Sequence, residues 1–455
     1  MSVQHIIVVG GGAAGFFAAI TAAEAGARVT LLERGPQLLS KVRISGGGRC
    51  NVTHACFDGR EFATRYPRGG QALIGAFKRF QASDTVAWFE ARGVKLKTES
   101  DGRMFPVTDD SATIVECLER AAREAGVSVR TNSGVDSVRR TENGFELILT
   151  HGRSGLPLLP KGGEGRGEES RISSSSKPLT PALSPLGRGE GDRNAHPSGL
   201  GETISCDRLL LATGGCRAVV AGQLAAALGH TIEAPVPSLF TFSIAFPWLK
   251  ELAGASVELA EVSVPGTDLR ERGPVLVTHW GLSGPVVLRL SAWGARDLHA
   301  RDYKFPLLVN WLPQRPPDLL AKEFDLRRQQ QGAKLLINTP IAPLTARLWE
   351  ALVLAAGVNR ETRCSALTRA QQHQLTQQLT RTEFAVTGKS LNKDEFVTCG
   401  GVKLGEVNFK TMESRVCPGL YFAGELLDID GITGGFNFQA AWTTGWIAGN
   451  AMASR

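Results

Sequence analysis

The chain has 455 residues, 42% apolar and 21% charged, a globular balance that excludes disorder along its whole length. At roughly 150 residues per domain there is room for two or three domains with buried cores. The net charge of +7 is spread along the chain without a dense basic run, which points to a solvated basic surface rather than to nucleic-acid binding. Eight cysteines fall at scattered spacings, and the gap between Cys50 and Cys56 suits neither a CxxC pair nor a zinc knuckle. Reduced thiols, an N-terminus without leader character and the lack of any apolar run near the ~20 residues of a membrane span predict a soluble cytoplasmic protein with no metal site.

His5–Val9 is a short β-branched run, read as a buried strand. A glycine turn, Gly10–Gly15, leads into a small-residue helix over Ala13–Gly26, and Arg28–Glu33 is a second strand. This order predicts a parallel-sheet nucleotide fold. Pro36–Thr53 reads as a loop, followed by helices near Leu73–Gln81, Thr85–Ala91 and Ala112–Ala125. Strands fit Val127–Thr131, Val135–Arg139 and Phe145–Thr150. Gly152–Gly201 then breaks the pattern with 11 Gly, 6 Pro and 8 Ser, too little apolar surface to offset the entropy of ordering. It reads as a disordered insertion between two strands of one hairpin, and its stretch LTPALSPLGRGEG (Leu179–Gly191) resembles peptides encoded by bacterial intergenic repeat elements. Cys206–Ala212 is again a buried strand. Pro235–Trp311 is rich in strand-like segments, Leu319–Ala385 has helical spacing, and strand and glycine signals return from Val397.

The first chemical signal is Gly10-x-Gly12-x-x-Gly15 with Glu33 ending the next strand, 18 residues beyond Gly15. The glycines allow a tight turn, the approach of a pyrophosphate and close packing of helix on strand, while the helix N-terminus offers unpaired N–H groups. Glu33 is placed to accept hydrogen bonds from an adenosine ribose. A structural glycine turn is the bland alternative, and the agreement of strand, helix and acidic strand end argues for a dinucleotide. The C-terminal region adds a second element: the strand Gly419–Ala423, Gly424-Glu425 at its end, and a glycine-rich loop running through Gly434-Gly435 to Asn437 and a small-residue helix. Such an arrangement sets a carboxylate beside a ribitol and a positive helix end beside a flavin, which favours FAD over NAD.

The stretches KVRISGGGRCNVTH (Lys41–His54), THWGLSGP (Thr278–Pro285), TCGGVKLGEV (Thr398–Val407) and Gly419–Gly449 resemble a bacterial flavoprotein family. That family is aminoacetone-oxidase-like, related to a 3-dehydro-bile-acid reductase, and lies within the glutathione-reductase-type FAD superfamily. The resemblance implies an α/β fold, with a Rossmann-like FAD-binding domain built from both chain ends and interrupted by a β-barrel-like domain with a helical insert. On that basis 1–150, 203–235 and 386–455 form the FAD domain. Residues 151–202 are the insertion, 236–311 the β-rich domain and 312–385 the helical subdomain. The resemblance also implies that Gly10, Gly12, Ala13, Ala14, Gly15, Glu33, Arg34, Lys41, Ser45, Gly46, Arg49, Cys50, Asn51, Thr213, Gly214, Gly424, Glu425, Gly434, Gly435 and Asn437 line FAD. Gly-Glu at 424–425 is familiar in its fumarate-reductase-like branch.

Consecutive glycines in SGGGRCN let backbone N–H groups face phosphate or flavin oxygens, and Arg49 adds charge. Cys50 is either a reactive thiol or packing. His279, beside a glycine turn, is either a proton carrier for the substrate or a structural histidine. Thr398, Gly400 and Gly401 bound the substrate side or form a strand-end turn. The chain shows no second GxGxxG and no CxxxxC, HExxH or P-loop. The reading is an FAD-dependent oxidoreductase exchanging a hydride between flavin N5 and a small organic substrate, an amine or an enone, with NAD(P)H or O2 as electron partner. One alternative is a fumarate- or enoate-type reductase with Arg217 and Arg289 as carboxylate clamps. Another is a non-catalytic flavin-binding redox sensor or RNA-binding module.

Overall fold

The computed structural model describes residues 3–150, 202–215, 219–390 and 397–454. Its centre is a seven-stranded sheet. β1 (His5–Val9) lies between β2 (Arg28–Leu32) and the strand Arg208–Leu211, with β3 (Ser128–Arg130) beyond β2. We number Arg208–Leu211 as β4; all these neighbours pair in parallel. Continuous apolar runs suit strands covered on both faces, and Ile6, Ile7 and Val8 are wholly buried. Helix α1 (Ala13–Glu24) follows β1, and α2 (Ser40–Gly48) follows β2.

Past β4 the chain builds a closed six-stranded barrel. Its strands are β5 (Thr241–Ile244), β6 (Ser256–Ser263), β7 (Arg270–Thr278), β8 (Gly281–Ser283), β9 (Phe305–Asn310) and β10 (Thr382–Ser390), in the order β5-β8-β7-β6-β9-β10. The alternation in β7 and β10 sends every second side chain, Val275, Val277, Phe384 and Val386 among them, into the barrel core. Two helices, α3 (Pro285–Trp293) and α4 (Ala295–Ala300), lie between β8 and β9. Three more, α5 (Pro317–Gln330), α6 (Ala346–Ala355) and α7 (Arg369–Arg381), form the insert between β9 and β10.

From the barrel, β11 (Val397–Val402) pairs antiparallel with Ile232–Ser238. The chain then returns to the central sheet with β12 (Leu420–Phe422), parallel to β4, and ends in α8 (Phe436–Ala453). α8 packs along α1, and the contact is close because Gly445 and Gly449 stand there: a Cβ at either would fall 2.6 Å from the carbonyl oxygen of Ala14 or Ala18. The expected α/β fold, with a Rossmann domain drawn from both chain ends and a barrel between them, is the observed one.

Three local expectations are corrected. The stretch read as loop, Pro36–Thr53, contains α2, because Lys41-Val42-Arg43-Ile44 favours a helical turn and Val42 is buried; left-handed Gly46 and Gly47 then break it. The strand read over Cys206–Ala212 divides at Asp207, whose carboxylate accepts the His5 N–H at 2.7 Å. Thr203–Cys206 pairs with Gly144–Leu149 while Arg208–Leu211 enters the central sheet. The strand-rich stretch before Trp311 also carries α3 and α4, with Pro285 at the first turn of α3 as a helix start. The insertion expected over 151–202 lies, but for Glu202, outside the described residues.

Candidate functional site

Where β1, β2, β4 and β12 end at their C-terminal edges, the chain leaves a cavity of about 520 Å³. Ligands of open parallel sheets bind at such an edge. The turn after β1 is held by the Gly10 N–H donating to Leu32 O at 2.8 Å. Gly10 has φ +116°, and a Cβ there would fall 2.3 Å from Ala212 O, so the turn presses on the segment after β4. Gly12 differs: a Cβ on it meets no atom within 4 Å, because the position opens on the cavity. Gly12 begins α1 without a side-chain cap and without an acid in the first turn, leaving the positive helix end free for an anion. α8 opens on the same cavity in the same state, capped only by left-handed Gly435.

Each carboxylate of the site is fixed by backbone. Glu33 accepts the Gly11 N–H on Oε2 and the Gly35 N–H on Oε1, both at 2.8 Å. Its oxygens keep lone pairs for further donors. Glu425 accepts the Thr398 N–H on Oε1 at 2.8 Å, and its Oε2 pairs with the Lys41 ammonium. The hydroxyl of Thr213, buried on the cavity wall, finds no hydrogen-bond partner among the described residues. The side-chain amide of Asn437 exchanges two hydrogen bonds with the Gly431 backbone, at 2.8 and 2.9 Å, closing the turn before α8. With its oxygen facing the Gly435 N–H, the Asn51 amide ties the SGGGRCN loop to the same turn. Two uncapped helix ends, an open Gly12 and an orphaned hydroxyl fit a long ligand with phosphates and hydroxyls, as FAD is.

The structure brings Gly10, Gly12, Ala13, Ala14, Glu33, Lys41, Ser45, Gly46, Asn51, Thr213, Gly214, Gly424, Glu425, Gly434, Gly435 and Asn437 together around this cavity. Gly15 lies behind it, where a Cβ would strike Gly10 O at 1.9 Å. Arg34 turns toward Val135 O. Arg49 turns outward, paired with Glu99 at 2.6 Å and stacked on Phe105. Cys50 is fully buried, and burial pushes its thiol up to about 12, so it stays unreactive at neutral pH. Thr398 and Gly400 back the wall, through the bond to Glu425 and a 3.0 Å bond from Gly400 N–H to Asp428; Gly401 crowds Leu426 O. His279 sits exposed on the turn between β7 and β8, outside the cavity lining. Arg289 is paired with Glu271 on the barrel, and Arg217 lies outside the described residues. Arg103, Leu239, Val397, Ile429 and Ile432 also line the cavity. No local motif marks Arg103 or Leu239, which arrive through strand pairing or a barrel connection; Val397 opens β11, and Ile429 and Ile432 come with the glycine-rich loop before α8. Among the described residues no group of three or more His, Cys, Asp or Glu is placed to hold a metal, and no helix is long and apolar enough to cross a membrane.

Residues 4–156 match the HI0933-like protein Rossmann domain, and 236–397 match the HI0933-like protein barrel and H2TH domain. The chain is 26% identical to a 3-dehydro-bile acid delta(4,6)-reductase of Clostridium scindens, over 99% of this chain and 100% of that one. It is 29% identical to a ribosomal RNA dihydrouridine synthase of Escherichia coli, over 97% of this chain and 96% of that one. A solved 3-ketosteroid-delta4-(5alpha)-dehydrogenase from Rhodococcus jostii RHA1 overlaps 99% of this chain and 97% of its own, with 12% identity and a TM-score of 0.48. With this cavity, these matches and the two domains in their order, the chain belongs to the HI0933-like family and is an FAD-dependent oxidoreductase.

Proposed function

We propose that this oxidoreductase saturates a carbon–carbon double bond conjugated to a carbonyl, and that its substrate is a uracil ring in RNA. The observation that carries the reading is similarity along nearly the whole chain to a protein named for making dihydrouridine in ribosomal RNA, with a second of that name from Haemophilus influenzae at 25% identity over 97% of this chain. The bile-acid reductase name describes the same bond chemistry on a steroid. FAD, when bound, supplies the hydride that such a bond accepts at its β-carbon, while a proton enters at the α-carbon.

The chain's own residues hold and orient. The Gly10–Gly15 turn and the start of α1 take the pyrophosphate, and Glu33 takes the adenosine ribose. Thr213 and Glu425 take the ribitol, and the uncapped start of α8 faces the far end of the cofactor with its positive pole. Leu239 and Val397, from the barrel connections, face the cavity with aliphatic side chains, a wall that excludes water from the reacting bond. The electrons come from a reduced nicotinamide.

Purified protein, NADPH or NADH and in vitro transcribed ribosomal RNA test this directly. A uridine that gains two hydrogens by mass spectrometry supports the reading. Reduction of a steroid 4,6-dien-3-one with RNA untouched moves the assignment to a small-molecule enone reductase. An unreactive flavin with either substrate sinks both.

A further inference from the structure

We infer that the outward face of α7, centred on Arg369 and Arg381, is an RNA-docking surface remote from the cavity; this rests on the uracil reading above. Helix α7 carries no Asp or Glu along Arg369–Arg381. Its apolar side, Leu375 and Leu379, is buried in the helical insert, while Arg369, His373, Gln377 and Arg381 are exposed. These four are spaced by four residues, so they drift slowly around one side of the helix over about 18 Å. Among the described residues neither Arg369 nor Arg381 has an acidic partner or a backbone acceptor, whereas the other five arginines of Pro317–Arg381 are engaged. Arg347 and Arg363 donate to the carbonyls of Glu251 and Ala333, and three are in ion pairs. Arg327 and Arg328 pair with Glu323 and Asp325, and Arg360 with Glu350. The acids on α5 and α6, the helices packed beside α7, are thereby partly neutralised, and the α7 cations are left over. From Pro317 to Arg381 there are nine Lys and Arg against five Asp and Glu, so +4 of the chain's +7 lies in this insert.

The chemistry of the face selects the partner. Free guanidinium groups with exposed glutamine amides, and no large apolar side chain among them, suit phosphates and sugar hydroxyls. An anionic membrane would also attract two arginines, at only about 1 kcal/mol each, and the face offers no large apolar side chain to insert beside them. Position strengthens the case. β10 leads from α7 at Thr382 to Ser390, which pairs with Thr241, two residues beyond the cavity-lining Leu239. Eight strand steps at ~3.3 Å set α7 roughly 26 Å from the cavity along that strand. A small substrate in the cavity does not reach so far. A folded RNA with one uracil in the cavity does.

The test is Arg369→Gln/Arg381→Gln in the FAD-loaded full chain, with in vitro transcribed ribosomal RNA bound across a salt series. The expected result is affinity lower by roughly tenfold and a log K against log salt slope smaller by about 1–2. FAD content, melting temperature and turnover of free uridine or a dienone should stay native. Arg139→Gln, on the hairpin of the FAD domain, serves as the control for a generic loss of charge. RNA affinity and slope unchanged in the double variant, or lowered equally by Arg139→Gln, overturn the inference. RNA bound through this face but never reduced leaves the docking surface standing and removes the uracil reading instead.

Discussion

Arg68 and Asp430, 362 positions apart, meet as a two-pronged pair in which Nε donates to Oδ1 at 2.6 Å and Nη2 donates to Oδ2. Asp430 is wholly buried, and Ser238 donates to the same carboxylate at 2.7 Å. Nη1 of Arg68 donates to Ala292 O at the end of α3, at 2.7 Å. One guanidinium thus joins the N-terminal segment, the barrel and the loop whose Ile429, Ile432 and Thr433 line the cavity. Burial pushes the Asp430 carboxyl above its usual range, with Arg68 and Ser238 pulling it back. Removing one partner of a buried pair leaves the other charge uncompensated, at about 3–5 kcal/mol. Arg68→Met and Asp430→Asn should each lower the unfolding free energy measured in urea by that amount and loosen FAD. Arg68→Met/Asp430→Leu should recover part of the loss, since two apolar groups leave no unpaired charge. A double variant as unstable as the sum of the singles would show that the pair does not act as a unit.

Gly10 and Gly12 separate folding from cofactor binding. Ala at position 10 sets a Cβ against Ala212 O in a left-handed conformation, so Gly10→Ala should yield little soluble protein. Ala at position 12 meets nothing in the protein and intrudes only on the cavity. Gly12→Ala should fold with native circular dichroism and lose most of its FAD. Full flavin content in Gly12→Ala would move the pyrophosphate away from this turn.

The two carboxylates are expected to bind the cofactor rather than to move protons. Losing a charge-assisted bond costs roughly 1.5–3 kcal/mol, or about ten- to hundredfold in affinity. Glu33→Ala and Glu425→Ala should therefore copurify with less FAD and regain turnover when FAD is added in excess. Glu33→Ala should also soften the turn, since the Gly11 and Gly35 N–H groups lose their acceptor. Native FAD occupancy in both variants would remove these residues from the cofactor site.

The Rossmann start is legible because its signals are local: a glycine turn, a small-residue helix and an acidic strand end fall within Gly10–Glu33 and meet at one cavity. Gly424–Asn437 is legible for the same reason. Barrel closure is not, because β5 pairs with β10 across more than a hundred residues, and no pattern inside either strand names its partner. The Arg68–Asp430 pair is equally silent, since nothing local to either residue names a partner 362 positions away. His279 shows the converse. A histidine beside a glycine turn looks poised for chemistry, yet its hairpin holds it in solvent away from the cavity lining. The cations of α7 were diluted in the whole-chain average, and only the fold gathers them on one element.

His230 makes stability depend on pH. Its side chain is fully buried, with Nδ1 2.9 Å from Glu406 Oε2 and Nε2 2.8 Å from Ser414 Oγ. Ser414 Oγ already accepts the N–H groups of Val416 and Cys417, at 3.0 and 2.7 Å. Its own proton is therefore the one directed at Nε2, which makes the ring neutral with its hydrogen on Nδ1, donating to Glu406. Burial lowers the His230 pKa despite the Glu406 carboxylate, and burial likewise lowers His5 and His54. A histidine whose folded value lies below its unfolded value of about 6.5 binds its proton more readily unfolded. Its contribution is present above pH 6.5 and is lost as pH falls toward the folded value. Each tenfold difference in proton affinity is worth about 1.4 kcal/mol. Glu406, held below the carboxylate range by Thr231 and His230 against the effect of burial, extends the loss to lower pH. The melting temperature of the FAD-loaded protein should accordingly be level from pH 8 to 7 and decline from about pH 6.5 to 5. His230→Gln should start lower at pH 8, having lost a ring bond, and decline less steeply. A variant whose melting curve runs parallel to the native one across that window would clear His230 of the effect and leave it to His5 and His54.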